Sequence, residues 1–161
     1  MDFAYTPRQE ALRREVRRFI KENVTPEVVA EMDPHAGAER PRGQGPKAAA
    51  LYKKIHERGW LGITYPKQYG GQGGSFFMAI VAVEEIAKID GSLAVLVDVQ
   101  NTLVVNCVLR HGNEDQKKRY LTRLAADWVG AYALSEAGSG SDAFALRCSA
   151  RDAGDHWVLD G

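Results

Sequence analysis

The stretch Tyr132-Ala-Leu-Ser-Glu-Ala-Gly-Ser-Gly-Ser-Asp142 divides this chain of 161 residues into two parts of different character. Two glycines among small hydroxyl residues let the backbone come close to a ligand. Successive backbone N–H groups and serine hydroxyls form a concavity that suits an anion such as a pyrophosphate, or the edge of a flavin. The alternative is a polar loop that joins two strands. The stretch is neither a P-loop, because it lacks Gly-Lys-Ser/Thr, nor a Rossmann fingerprint.

Helical patterns precede this stretch, beginning at Thr6. Thr6 as N-cap, Pro7 at the first helical position and Gln9 form a start signal, and the apolar residues that follow share one face through Val24. Gly59 is the expected C-cap of a later helix. Capping and periodicity together predict helices over residues 6–24, 26–31, 46–58, 75–90, 92–111 and 113–126, with a loop rich in Gly, Pro and charge over 34–46 and turns over 60–74.

Three of these predictions depend on particular capping residues. Ser75 begins a helix that is apolar on nearly every face, which predicts a central position, and Gly91 should end it. Ser92 opens the next helix. Asn113 begins the last one, with Gln116 completing a capping box.

After Trp128 the pattern changes from helix to strand. Residues 129–134 are short and apolar, residues 146–151 alternate, Asp152-Ala-Gly-Asp155 reads as a hairpin turn, and residues 156–159 read as a strand. The predicted fold is therefore mainly α, with an N-terminal helical domain over residues 1–127 and the incomplete start of an antiparallel β domain over 128–161. Two or three strands with an open edge are marginal alone, so we expect a missing remainder or another subunit to cover them.

Composition bounds the partners of the chain. Lys plus Arg and Asp plus Glu both number 21, and this balance gives no reason to expect nucleic acid or an anionic membrane as partner. The first twenty residues contain five arginines but also three acids, which transit peptides avoid. We therefore expect a cytoplasmic protein, with a processed mitochondrial matrix form as the alternative. The apolar segment 92–109 carries too many polar residues for a membrane span.

Few residues suggest metal or thiol chemistry. Cys107 and Cys148 share no close spacing and no neighbouring His pattern, so we predict neither a disulfide nor a zinc site and interpret both as small apolar residues. The four histidines fit no metal spacing, so no metal site is predicted. The glycine-rich segment 69–74 predicts a turn with glycines at positive φ.

The chain resembles the acyl-CoA dehydrogenase family at three places. Residues 134–142 resemble its signature, a Thr/Ser-Glu pair, then Pro or Ala, then Gly-x-Gly-Ser-Asp, with Ala137 where many members have Pro. Residues 59–66 and 69–73 are similar to the family's glycine-rich loop after its third helix. Val99-Gln-Asn-Thr-Leu103 resembles the short/branched-chain members. The similarity runs in order through nearly the whole chain, whereas the family's full chain is more than twice as long.

The resemblance implies an FAD site in the second part of the chain, formed by Tyr132, Leu134, Ser135, Gly140 and Ser141. The first three would lie against the flavin ring, and the last two would contact the FAD. Ser141 would also meet the thioester of a bound acyl-CoA substrate. Asp142 would anchor the loop rather than touch a ligand.

The resemblance also places Gln100, Asn101 and Leu103 near the closed end of an acyl pocket. From the residues alone, Asp98, Asn101 and Thr102 share one helix face, which is equally the pattern of a solvated surface. Burial distinguishes the two interpretations.

The implied enzyme oxidises acyl-CoA to trans-2-enoyl-CoA with FAD and passes the electrons to an electron-transfer flavoprotein, as a homotetramer. The family's catalytic glutamate belongs to a C-terminal domain that lies beyond these residues. We therefore assign no catalytic residue here and expect the chain alone to be inactive. Two alternatives stay open: a non-catalytic helical interaction or scaffold module, and a related flavoenzyme such as an acyl-CoA oxidase or a nitroalkane oxidase.

Overall fold

The computed structural model describes residues 4–32 and 45–161, so most of the predicted loop over 34–46 lies outside the described residues. The chain forms two compact units, Met1–Ala131 and Tyr132–Gly161. The first unit is helical, and its helices are α1 Pro7–Asn23, α2 Pro26–Met32, α3 Pro46–Glu57, α4 Phe76–Ala87, α5 Gly91–His111 and α6 Glu114–Ala126, with 3-10 turns at Trp60–Gly62 and Lys67–Tyr69.

Both predicted capping boxes are confirmed. At the start of α1, the Gln9 amide donates to Thr6 Oγ1 at 3.3 Å and the Thr6 amide donates to Gln9 Oε1 at 2.7 Å. At the start of α6, the Gln116 backbone amide donates to Asn113 Oδ1 at 2.8 Å, and the Asn113 backbone amide donates to Gln116 Oε1 at 2.9 Å. These bonds satisfy backbone donors that a helix N-terminus otherwise leaves unpaired.

The junction between α4 and α5 differs from the prediction. Asp90 is the N-cap of α5, and its Oδ1 accepts from the Leu93 amide at 2.6 Å. The predictions that Gly91 ends a helix and that Ser92 opens the next are therefore wrong, because Gly91 is the first residue of α5. Ser75 occupies the N-cap position of α4, but its side chain makes no capping hydrogen bond.

The main core lies where α1, α3, α4 and α5 pack around Trp60. Phe19 meets Trp60 edge to face, with ring centroids 4.8 Å apart and an interplanar angle of 76°. The members buried most completely include Val16, Ala48, Ile55, Leu61, Ile63, Ala82 and Val97. A second cluster joins the 60–74 segment to α5 and α6, and consists of Tyr65, Tyr69, Val104, Val105, Leu121 and Leu124.

Helix α4 is buried on one face only. It packs against α1 and α5, but Phe76, Phe77 and Ile80 are 55%, 66% and 41% exposed. The prediction of a fully central helix is therefore wrong for this face, although its apolar character is real.

Helix α5 is long and apolar enough to cross a membrane by length and composition alone. The core helix of a folded domain satisfies the same criteria. Here Leu93, Ala94 and Val97 belong to the main core and Val104 and Val105 to the second cluster. A π-helical turn, Gln100–Val104, interrupts α5 between these two sets.

The predicted turn at residues 69–74 is confirmed. Gly70 and Gly73 have φ of 86° and 60°, a region that favours glycine. The Gly74 amide donates to the Ile63 carbonyl at 2.7 Å, which folds the segment back on itself.

The second unit contains one antiparallel pair, β1 Ser149–Asp152 and β2 Trp157–Asp160. The register pairs Ser149 with Asp160, and the Ala153 amide donates to the His156 carbonyl at 2.9 Å to close the predicted hairpin turn. The first strand begins later than the predicted 146–151 alternation, and the apolar residues 129–134 form no ladder.

Candidate functional site

The serine- and glycine-rich bend at residues 135–142 is held by its own backbone. The amides and carbonyls of Glu136 and Ser139 bond reciprocally, at 2.9 and 3.1 Å. The Ser139 hydroxyl donates to the Asp142 carbonyl at 2.9 Å, and Ser139 is only 2% exposed. The bend therefore has one defined shape without the help of a ligand.

The carboxylate of Glu136 ties this bend to the chain that leads into β1. It accepts from the Arg147 amide at 2.8 Å and from the Cys148 amide at 3.0 Å. Two charge-assisted bonds to successive amides make a stiff connection. Sequence analysis missed this role, because no local spacing links residue 136 to residues 147 and 148.

Asp142 organises the next turn. Its Oδ1 accepts from the Phe144 amide at 3.2 Å, and its carbonyl accepts from the Ala145 amide at 3.1 Å. This is the geometry of an Asx turn. The side chain is thus engaged within the loop, as an anchoring residue would be.

The remaining amides of the bend are available. Within the part of the chain that the structure describes, the amides of Ser135, Gly140 and Ser141 donate to no other group. A Cβ placed on Gly138 or Gly140 would meet nothing within 4 Å, and neither residue has positive φ. The bend therefore offers unpaired donors beside open space, which is what a closely approaching anion or ring edge requires.

Two large side chains lie uncovered just before the bend. Tyr132 is 41% exposed and Leu134 is 39% exposed, and Ser135 is exposed as well. Tyr132 and Leu134 therefore present apolar surface next to the bend. All five residues predicted to bind the cofactor belong to the Tyr132–Gly161 unit, whereas the predicted substrate residues Gln100, Asn101 and Leu103 belong to Met1–Ala131.

Gln100 is completely buried. Its side-chain amide donates to the carbonyls of Leu124 and Trp128, at 2.9 and 3.0 Å, and its Oε1 accepts from the Gly130 amide at 2.8 Å. The backbone carbonyl of Gln100 accepts from the hydroxyl of Tyr65 at 3.1 Å. Burial raises the pKa of Tyr65 well above its usual range, so that hydroxyl stays protonated and donating.

Asn101 is also buried, which excludes a solvated face at this position. Its side-chain amide donates to the carbonyls of Trp60 and Val97, at 2.7 and 2.8 Å, and its Oδ1 accepts from the Thr64 amide at 3.0 Å. Leu103, by contrast, is 40% exposed. The polar side chains of the π-turn therefore hold the helical unit together, and Leu103 is the member of the predicted set that presents free surface.

The strongest electrostatic cluster lies at α4. Glu85, 2% exposed, accepts from Arg13, Arg17 and Lys88, each at 2.8 Å. Burial alone would raise the pKa of Glu85, but the hydrogen bonds from Arg17, Arg13 and Lys88 outweigh it and lower that pKa to about 2. This carboxylate is therefore ionised at neutral pH, which suits a structural anchor and not a proton acceptor.

Thiols and metal ligands contribute little. Cys107 and Cys148 are free and exposed. Residues 4–32 and 45–161 contain no group of three or more His, Cys, Asp or Glu side chains that could hold a metal ion. His56 Nδ1 is buried without a hydrogen-bond partner in this part of the chain.

Comparison with known proteins identifies the family. The family model described as acyl-CoA dehydrogenase, N-terminal domain, matches residues 6–127. The short/branched chain specific acyl-CoA dehydrogenase of Rattus norvegicus, a mitochondrial protein, is 35% identical over 98% of this chain, which covers 34% of the relative. This chain thus spans about a third of that relative's length.

Two solved structures share the fold. The structure of the electron transferring flavoprotein of Acidaminococcus fermentans matches with a TM-score of 0.82 at 30% identity, over 100% of this chain and 40% of that one. An acyl-CoA dehydrogenase from Bacillus anthracis, solved in complex with FAD, matches with a TM-score of 0.78 at 28% identity, over 98% of this chain and 26% of that one. With the family model covering the helical unit and the signature following it, the chain belongs to the acyl-CoA dehydrogenase family, of which it carries the N-terminal domain.

Proposed function

We propose that this chain supplies the helical domain and the flavin-facing segment of an enzyme that oxidises acyl-CoA to trans-2-enoyl-CoA. The observation that carries the proposal is the bend at 135–142, where the unpaired amides of Gly140 and Ser141 lie in open surroundings and neither Gly138 nor Gly140 is required by the packing of the chain. Exposed Tyr132 and Leu134 directly before the bend add apolar surface of the kind that a tricyclic ring covers.

The residues present fit an FAD group. Tyr132, Leu134 and Ser135 would lie along the ring, mainly through backbone atoms and the Ser135 hydroxyl. The amides of Gly140 and Ser141 would donate to anionic oxygens of the cofactor, and Ser141 would also reach the thioester of the substrate. When bound, FAD would supply the hydride acceptor, and the chain would position it and exclude water. The reacting atoms of substrate and cofactor must lie about 3–3.5 Å apart. The two bonds from Glu136 to the Arg147 and Cys148 amides would keep the bend rigid and so help to hold the cofactor at that distance.

The substrate end would be formed in part by α5. Leu103 would meet the acyl chain through its free surface. Gln100 and Asn101 would shape the pocket by fixing the helix backbone, since their polar atoms are engaged within the helical unit. A short or branched acyl chain is the substrate class that the relatives favour.

The base that removes the α-proton is proposed to be a glutamate in a part of the enzyme that follows these residues. Residues 1–161 alone should therefore show no turnover. An electron-transfer flavoprotein as acceptor, a homotetramer, and a location in the cytoplasm or the mitochondrial matrix belong to the same proposal for the whole protein.

A non-catalytic docking module is the second candidate. It is favoured by the apolar surface of the hairpin, where Trp157 and Leu159 are 64% and 71% exposed although the sheet has two strands. The same surface would be covered by further strands in a complete β domain. The two candidates differ in whether flavin binds.

A fusion protein tests the proposal. Residues 1–161 are joined to the C-terminal remainder of the Rattus norvegicus relative, and FAD content per subunit is measured together with bleaching of the flavin absorbance by butyryl-CoA or 2-methylbutanoyl-CoA. We expect stoichiometric FAD and bleaching, and no turnover from residues 1–161 alone. A well-folded fusion without FAD would refute the flavin assignment, and steady turnover by residues 1–161 would refute the location of the base.

A matched pair of variants locates the site. Gly140→Ala and Gly91→Ala place the same methyl group in equally open surroundings at residues without positive φ. In the fusion, we expect Gly140→Ala to weaken FAD binding by about tenfold or more, because the methyl group separates the amide from the cofactor oxygen, and Gly91→Ala to leave binding unchanged. Equal effects of the two variants would contradict a cofactor contact at the bend.

A further inference from the structure

The π-turn Gln100–Val104 interrupts α5 where the helix faces the end of α6. A π-turn inserts an extra residue into a helix and redirects the side chains after it, and such turns occur often at functional sites. Here the turn brings a fully buried glutamine and a nearly buried valine, 0% and 7% exposed, toward one segment of the chain. That segment is 124–130, the end of α6 and the connection that leaves it.

The Gln100 side chain makes three contacts that only a primary amide can make together. It donates twice, to the last turn of α6 at Leu124 and to Trp128 beyond the helix end, and it accepts once, from Gly130. A carboxylate cannot donate and a hydrocarbon can do neither. The connection is therefore bonded in both directions to a single side chain.

Val104 holds the same connection by contact. A Cβ on Gly130 would lie 2.5 Å from Val104 Cγ1 and 2.8 Å from Val104 Cγ2. Gly130 has no positive φ, so the need for glycine there comes from this contact and not from the backbone. Gln100 and Val104 thus both contact Gly130, Gln100 through a hydrogen bond and Val104 through packing.

We propose that Gln100 is a positioning residue, and that Gln100 and Val104 form a clamp on Gly130 that fixes the path of the backbone after the end of α6. Gly130 precedes Tyr132 by only two positions in the sequence. A displaced Gly130 should therefore also disturb the segment proposed to meet the flavin, and this consequence rests on the proposed function.

Amide hydrogen exchange in residues 1–161, followed by NMR, tests the clamp itself. Gln100→Leu keeps the volume and removes all three hydrogen bonds, and we expect the Gly130 amide to exchange at least about tenfold faster, with the amides of α1 and α3 unchanged. Thr102→Ala is the control, because the Thr102 hydroxyl that it removes donates to the Asp98 carbonyl of its own helix and makes no bond to residues 124–130. Unchanged exchange at Gly130, or a rise shared by every helix, would overturn the clamp.

A rescue experiment separates positioning from general damage. Gly130→Ala should raise the local exchange rate and weaken FAD binding in the fusion protein, and adding Val104→Ala should restore both, because it removes the two methyl groups that the new Cβ meets. Failure of the second substitution to rescue the first would refute the packing contact as the cause.

The FAD affinity of the fusion protein distinguishes failure of the clamp from failure of the proposed function. With a wild-type fusion that holds FAD, an unchanged FAD affinity in Gln100→Leu would overturn the positioning role. A wild-type fusion that holds no FAD would instead remove the proposed function and the flavin consequence with it, and the exchange data would still decide whether Gly130 is clamped.

Discussion

Replacing Glu85 with Gln should destabilise the helical unit more than any other single carboxylate change considered for this chain. The Glu85 carboxylate is 2% exposed and accepts from Arg13 and Arg17 of α1 and from Lys88 at the end of α4. It is the group that ties α1 to α4 electrostatically. Gln keeps the shape but removes the acidic partner of Arg17 and Lys88, and it leaves Arg13 with the 3.7 Å ion pair to Glu10.

The pKa gives the magnitude. Lowering it from 4.5 to about 2 corresponds to about 3 kcal/mol, at about 1.4 kcal/mol for each pKa unit. Because Arg17 and Lys88 are half-exposed, water replaces part of what they lose, and about 3 kcal/mol is an upper value. The folded pKa lies below the unfolded one. The stabilisation is therefore complete above about pH 4.5 and disappears as the pH falls toward 2.

Urea denaturation followed by helical circular dichroism measures this effect. We expect Glu85→Gln to lower the free energy of unfolding by roughly 2–3 kcal/mol at pH 7, and the gap to the wild type to narrow steadily below pH 4.5. Glu84→Gln is the control, because Glu84 is the exposed neighbour and, among residues 4–32 and 45–161, its carboxylate accepts only from the Tyr5 hydroxyl. Equal losses for the two variants, or a gap independent of pH, would show that the ion cluster does not stabilise the fold.

Three further substitutions have expected outcomes in the same denaturation assay. Gly71→Ala should lower the free energy of unfolding by about 1–3 kcal/mol, because its Cβ would overlap the Tyr65 carbonyl oxygen. Gly91→Ala is the control, since a Cβ there meets open space, and it should change stability by less than about 1 kcal/mol. Similar losses for the two variants would contradict the close approach at Gly71. Asn113→Ala should cost about 1 kcal/mol by removing the cap of α6, and no loss would show that the cap is replaced by water. Asn101→Ala should cost at least about 2 kcal/mol, because buried backbone partners lose their bonds; a smaller loss would mean that they find new ones.

Local signals in the sequence predicted helices well wherever the interaction was short in range. The capping boxes at Thr6 and Asn113 involve residues three apart, and both were placed correctly. The error at Gly91 came from giving glycine more weight than the aspartate before it. An Asp side chain at an N-cap satisfies a backbone donor, and here Asp90 does so for Leu93.

The first residue of β1 was harder to predict, because a side chain distant in sequence accepts hydrogen bonds from the backbone amides just before it. Alternation predicted a strand from residue 146, but the amides of Arg147 and Cys148 donate to Glu136, and the ladder begins at Ser149. No pattern within residues 146–151 contains that information.

The functional interpretation had a similar limit in α5. Periodicity places Gln100 and Asn101 on the helix, but it cannot tell whether a polar side chain faces water, a ligand or another segment of the chain. Apart from Val97, four residues before Asn101, the partners of these side chains lie 24 to 41 residues away in sequence. Only the fold shows that both side-chain amides hydrogen-bond to other segments of the chain, and that Leu103 is the exposed residue of that region.

The surroundings of the glycines indicate which of them the fold itself requires. Gly70 and Gly73 are explained by positive φ, and Gly71 by a backbone that a Cβ would strike. Neither reason applies to Gly140, and neither applies to Gly91, so open surroundings alone do not indicate a binding site. What distinguishes Gly140 is its setting: unpaired amides on a bend fixed by Glu136, next to uncovered Tyr132. If that setting is for a cofactor, one methyl group at 140 must weaken FAD binding while the same group at 91 does nothing, and neither may unfold the chain.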